Sequence, residues 1–297
     1  MVDRYPAQQC AQRRIHLPVR AYTDTVSESI PLNRRSLLGL MAALAAVRAP
    51  AQTFDHGYAA WDALLKKHVR WLPDQKQSRV AYAGMAADHA ALKAVLASLS
   101  AVSPAAFGAF TRPQQMAFLI NAYNAFTIEL ILTAYPKLKS IKDLGSFVTS
   151  PWKKPFFTLL GEERHLDWIE HEQLRPRYNE PRVHTAIVCA SIGCPALRTE
   201  AITPEQLEAQ LEDGMRRFLG DATRNRASPG KLEVSSIFKW FREDFEKGHQ
   251  GFQRVEDVFA RYAPLLSSDP AVQEQLKARK LKPEFLDYDW SLNDAGR

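Results

Sequence analysis

The chain has 297 residues, 46% of them hydrophobic, with 39 basic and 33 acidic residues and a formal net charge of +6. That length allows one large packed domain or two small ones, and the composition excludes a disordered or low-complexity chain. The surplus positive charge sits in residues 1–51, which hold seven arginines and three acids. The remainder is nearly balanced and offers no basic stripe for nucleic acid.

At the N-terminal end, Asn33-Arg34-Arg35-Ser36 precedes the apolar run LLGLMAALAAV, and Ala49-Pro50-Ala51 follows it. A basic pair, an apolar run and a small-x-small triplet have the layout of a secretory signal, here with the paired arginines of twin-arginine export. The run is shorter than the roughly 20 residues that a membrane span needs. The expectation is a leader over 1–51, cleaved after Ala51, and a single globular domain over 52–297. That domain is exported to a bacterial periplasm and has no transmembrane segment once mature. The stretch ahead of Arg34 is long for a signal, which points to a true start nearer that residue. Cys10 belongs to the leader, so the mature chain keeps Cys189 and Cys194.

From Tyr58 to Trp71 apolar residues recur at helical spacing, and a second helical pattern spans Ala86 to Leu99 before a loop at Pro104. The run from Gln114 to Tyr135 is apolar nearly all round, interrupted by Asn121, Asn124, Thr127 and Glu129 and ended by Pro136. Such a helix runs through a core rather than along a surface. Phe156–Leu160 and Arg164–Leu166 flank Gly161 as a β-hairpin. Asp167-Trp168-Ile169-Glu170 fits a capping box, giving a helix through Leu174 with Glu170 as the capping acid. Val183–Ala190 is the best strand of the chain. A helix at Pro204–Leu219, a strand at Leu232–Ser235 and helices at Ile237–Phe245, Val255–Tyr262 and Ala271–Ala278 complete the series. Many helices and few short strands give an α+β fold, mostly helical with a small antiparallel sheet.

The richest stretch is RVHTAIVCASIGCPALR, from Arg182 to Arg198. In a regular strand side chains alternate, so His184 and Cys189 face opposite ways and form no thiolate–imidazolium pair. Fully extended, Cys189 and Cys194 stand about 16 Å apart, against the ~5.5 Å between Cα atoms that a disulfide needs. The small residues between them permit a reversal. Four readings stay open: a catalytic or redox-active thiol, a structural disulfide, buried inert cysteines, and a metal site. The metal reading lacks a fourth ligand at recognisable spacing. Asn121 and Asn124 share a helical face, either as a satisfied polar cluster pinning a loop or as part of a site. Glu170 and His171 add a carboxylate and a possible base. Ile237–Phe245 carries four aromatics, suited to a core or to the wall of a groove.

The phrases FLINAYNAFTIELIL, SIKDLGSF, PWKKPFFTLLGEERHLDWIEHEQLRPRY, RVHTAIVCASIGCPALR, FLGDATRNR, SSIFKWFREDF and DYDWSLND together resemble the domain-of-unknown-function 547 family, from about Gln114 to Asp294. The resemblance implies no activity. It puts weight on Asn121, Asn124, Glu170, His171, His184, Cys189 and Cys194, which fall in its characteristic phrases. It also extends distantly to papain-like and transglutaminase-like arrangements, which set a site residue at the start of a core helix packed on a small sheet. There Asn121 stands in the nucleophile's place, and a thiol from Cys189 or Cys194 would have to substitute. The expected function is a thiol-dependent hydrolase or transferase. Its alternative is a non-catalytic binding or scaffold domain held by a Cys189–Cys194 disulfide. The partner is a small-molecule or peptide ligand, with no nucleic acid, cofactor or metal.

Overall fold

The 21-residue helix Arg112–Leu132 is the axis of the protein. Thr111 caps it by accepting the Gln114 N–H, while the Gln114 side chain accepts the Thr111 N–H. Pro113 sits in the first turn, where no intrahelical donor is lost. Every residue from Met116 to Ile131 is buried, as its apolar circumference requires. By length and composition this helix could cross a membrane, but 89% of its apolar window is buried inside the protein. The computed structural model describes residues 54–146 and 149–296. The leader, Cys10 and the export signal lie outside the described residues.

The helix His89–Ser100 and the segment Trp168–Leu174 pack on the axis, Ala59–His68 and Tyr82–Ala87 pack on His89–Ser100, and Leu207–Leu219 packs on Pro181–Thr185. Two short hairpins belong to this half. β1 (Val69–Trp71) pairs with β2 (Ser78–Val80), and β3 (Phe157–Leu159) pairs with β4 (Glu162–Arg164). Leu160 and Gly161 turn the second hairpin with φ of 52° and 81°, the two positive angles of a tight two-residue turn. A second apolar cluster, from Met215 to Leu281, is built on helices Val255–Arg261 and Pro270–Lys277. Its sheet joins β5 (Arg226–Ser228), β6 (Lys231–Ser235) and β7 (Pro283–Leu286). The fold class is α+β. Three of the four strand pairs among the described residues are antiparallel, and β6–β7 is parallel.

Three local expectations need correction. Val183–Ala190 is not a strand: Pro181–Thr185 is a 3-10 helix, and turns follow. Its apolar residues are buried because the segment threads the core, and a side chain from the long helix satisfies its backbone in place of a neighbouring strand. Asp167-x-x-Glu170 is not a capping box: Asp167 caps nothing, Trp168–Leu174 is a π-helix, and Glu170 turns inward to 4% exposure. The expected helix Ile237–Phe245 is two short helices, Ile237–Trp240 and Arg242–Phe245, broken at Phe241.

Candidate functional site

The two asparagines of the long helix act as backbone clamps. Asn124 donates Nδ2–H to the Ala186 carbonyl and accepts the Val188 N–H on Oδ1, both at 2.9 Å. Asn121 treats Ile202 in the same way, at 2.7 and 3.1 Å. Each amide thus replaces a strand partner for a buried stretch of chain, which otherwise leaves unsatisfied groups at about 1–3 kcal/mol each. The clamps fix both ends of the segment carrying the cysteines. Its far side is held by the C-terminal tail, where the Ile192 and Gly193 N–H groups donate to Ser291 and Asp289 and the Asn293 N–H donates to Ala190.

Between these supports the chain turns at Ala190, whose φ of 62° is in the left-handed region that non-glycine residues rarely adopt. The turn brings the Ser191 hydroxyl to 3.5 Å from the Cys189 sulfur, and Tyr288 of the tail sets its hydroxyl 3.1 Å away on another side. The Cys189 N–H donates to Cys194 Sγ at 3.1 Å. Both cysteines are free, Cys189 partly exposed and Cys194 buried. The hydrogen bond from Cys194 pulls the Cys189 thiol down to about 6 against the opposing effect of burial, helped by Ser191 and Tyr288. Burial, and then the neighbouring Cys189, push Cys194 well up. The two thiols are thus pushed in opposite directions, Cys189 down and Cys194 up.

A row of titratable groups lies behind the turn. Glu170 sits in the π-helix, where the wide turn aims it inward. Burial, then the Asp167 charge, raise its carboxyl to about 8, and Cys189 is close enough to add to that rise. The Tyr123 hydroxyl donates to its Oε2 at 3.3 Å, and His184 Nδ1 is 3.7 Å from its Oε1. On its other side His184 bonds Asp244 through Nε2 at 2.8 Å, while its ring stacks on Phe241 with centroids 3.8 Å apart. Burial holds His184 below its usual value despite Asp244. Asp244 is held well below the carboxylate range, its burial outweighed by hydrogen bonds from His184, Arg175 and Lys247. A neutral His184 must then carry its proton on Nε2 and turn the Nδ1 lone pair toward Glu170. That arrangement favours the protonated carboxyl. Arg175 donates to His171 Nδ1 at 2.9 Å, and burial, then Arg175, push His171 down to about 4.

The structure thus joins Cys189 and Cys194 in one turn, and Glu170, His171 and His184 in the network behind it. Asn121 and Asn124 stand apart as clamps. The sequence reading missed Asp244, Tyr288, Ser191, Tyr123 and Arg175. Asp244 and Tyr288 lie in FREDF and DYDW, phrases with unusual densities of acids and aromatics, and that density was the available signal. The aromatic run serves two purposes. Phe238 and Phe245 are core, whereas Phe241 stacks on His184, and Trp240 meets Tyr288 and Trp290 at 4.9 and 5.7 Å.

Residues 107–219 match the family described as "Protein of unknown function, DUF547". This segment is similar to that family over a little more than a third of the chain. It runs from the short helix Pro104–Ala109 to the end of Leu207–Leu219 and contains every site residue expected from the sequence. Asp244, Tyr288 and Trp290 lie beyond it, so residues outside the matched segment complete the surroundings of the cysteine turn. No curated protein and no solved structure matches the chain significantly.

Proposed function

We propose that the protein is a thiol-dependent hydrolase or transferase, with Cys189 as nucleophile and Glu170 as general acid and base. The carrying observation is that the Tyr288 and Ser191 hydroxyls both meet one partly exposed sulfur at a left-handed turn, while Cys194 Sγ accepts that residue's backbone N–H. Donation from the Tyr288 hydroxyl stabilises the thiolate, so the thiol is activated without an imidazole partner. The Cys189 thiolate attacks the carbonyl carbon of a small-molecule or peptide ligand, forming a C–S bond. The C–O or C–N bond to the leaving group breaks, and the leaving group takes the proton of Glu170. Water or an acceptor nucleophile then attacks the thioester and gives its proton to the Glu170 carboxylate, and Cys189 departs as thiolate. His184 and Asp244 position Glu170, and Asn124 holds the turn. The proposal includes export of the mature domain to a bacterial periplasm through the Arg34-Arg35 signal, tested by N-terminal sequencing of the exported protein.

The test treats the native protein with an activated ester and locates the acyl group by mass. Acylation of Cys189 followed by its release supports the reading; a Cys189 inert to both ester and alkylating agent overturns it. The second reading, a non-catalytic binding or scaffold domain braced by a Cys189–Cys194 bridge, draws on the closeness of the two side chains. A stable two-hydrogen mass deficit in native exported protein, reversed by reduction, favours that scaffold.

A further inference from the structure

Acyl transfer uses one sulfur, yet the turn holds two of unequal character. Cys189 is partly exposed, and Cys194 is 6% exposed with its apolar neighbours closed over it. Cys194 is also fixed in place. Its N–H donates to the Ser191 carbonyl at 3.1 Å, and its own carbonyl accepts from Arg224, whose guanidinium is tied to Asp221 at 2.6 Å. Cys194 Sγ already lies 3.1 Å from the Cys189 backbone nitrogen, and the two side chains share a hydrogen bond. No backbone segment has to cross the space between them for a bond to form. The mobile partner in such a closure is the Cys189 side chain.

We propose that Cys189 and Cys194 are a dithiol that exchanges with small disulfides, Cys189 attacking and Cys194 resolving. The Cys189 thiolate attacks one sulfur of the substrate disulfide. A mixed disulfide forms on Cys189, the substrate S–S bond breaks, and the first half leaves as a thiolate that takes up from solvent the proton Cys189 released on ionising. Cys194 then attacks the Cys189 sulfur, giving up its proton to the second departing thiolate. The protein loses two electrons and two thiol hydrogens, and one substrate disulfide becomes two thiols. Exposure sets the order, because only Cys189 is within reach of solvent. The opposed acidities of the two thiols support the same order, since the group ionised at neutral pH is the accessible one.

The inference shares Cys189 with the proposed function but does not need acyl chemistry. The full-length protein, reduced and then freed of reductant, is mixed with glutathione disulfide, quenched with acid and weighed. The wild type should lose two hydrogens and retain no glutathionyl group. Cys194→Ser should retain one such group on Cys189, and Cys194→Ala should do the same. Cys189→Ser should remain unmodified. A wild type that keeps its glutathionyl group as long as Cys194→Ser, carries it on Cys194, or fails to react overturns the inference. Acylation by the activated ester without disulfide exchange removes this inference alone. Exchange without acylation removes the acyl-transfer reading alone.

Discussion

Replacing Glu170 with glutamine should stabilise the protein at neutral pH while abolishing the proposed acyl transfer, and the pH dependence of the gain follows from its titration. Glu170 titrates at about 8 in the fold against 4.5 as a free side chain, because burial and Asp167 disfavour its charge. Between those values the unfolded chain has lost the proton and the folded chain retains it, so stability falls as pH rises. The penalty is roughly 1 kcal/mol at pH 5 and about 3 kcal/mol at pH 7, from 1.36 kcal/mol per unit. Glutamine keeps the shape and accepts the Tyr123 hydroxyl but has no proton to lose. The stability difference between Glu170→Gln and wild type should therefore grow by about 2–3 kcal/mol from pH 5 to pH 7. The difference must be read in place of the wild-type curve. His171, depressed to about 4 by burial and Arg175, is neutral in the fold where the unfolded chain is protonated. It adds stability with rising pH up to about 6.5 and masks the opposite slope of Glu170. Urea denaturation of both proteins at the two pH values is the assay. A difference that does not change with pH refutes the buried, protonated carboxyl.

Other outcomes follow from the same geometry. The rate of Cys189 alkylation against pH should have its midpoint near 6, and Tyr288→Phe, which removes one donor, should move it upward. Ester turnover should be bell-shaped, rising through about 6 as Cys189 ionises and falling through about 8 as Glu170 loses its proton. Asn124→Ala strands a buried carbonyl at Ala186 and a buried N–H at Val188. At about 1–3 kcal/mol for each group, denaturation should show a loss of roughly 2–6 kcal/mol. Gly193→Ala sets a Cβ 3.0 Å from the Asp289 backbone and 3.1 Å from the Tyr288 ring. It should cost about 1–3 kcal/mol in thermal or urea denaturation. By displacing Tyr288 it should also raise the alkylation midpoint of Cys189.

The long helix was legible because its run is apolar nearly all round and stops at Pro136, while its capping box at Thr111 went unread. The helices Leu207–Leu219, Val255–Arg261 and Pro270–Lys277 were legible by periodicity, to within a few residues at their ends. The strands β1, β2 and β7 span three or four residues, too few for alternation to register. The segment around His184 misled for a sharper reason. An apolar run with β-branched residues reads as a buried strand, yet burial alone does not say what satisfies its backbone. Here the satisfying group is the Asn124 side chain, about sixty residues earlier in the sequence. No local pattern carries that information. The supposed opposition of His184 and Cys189 disappeared with the strand, since it rested on a two-residue period that the 3-10 helix and turns do not have.

The buried polar residues divide into two sets by how completely they are satisfied. Asn121 and Asn124 each give and accept one strong hydrogen bond with the backbone, and nothing in that geometry needs a ligand. Among the described residues, His184 Nδ1 and Asp167 Oδ1 are buried without a hydrogen-bond partner, as are Trp61 Nε1 and Thr127 Oγ1 elsewhere, and the side-chain bond to Glu170 is the long one from Tyr123. A core selected only for stability would replace these groups with apolar or fully bonded ones, because the neutral carboxyl weakens the fold throughout the physiological pH range. Glu170 is near enough to Cys189 for the two charges to interact, and Ala190 beside Cys189 holds a left-handed turn. Under the proposed thiol chemistry, the protonated Glu170 and the π-helical turn that carries it are where stability is given up for function.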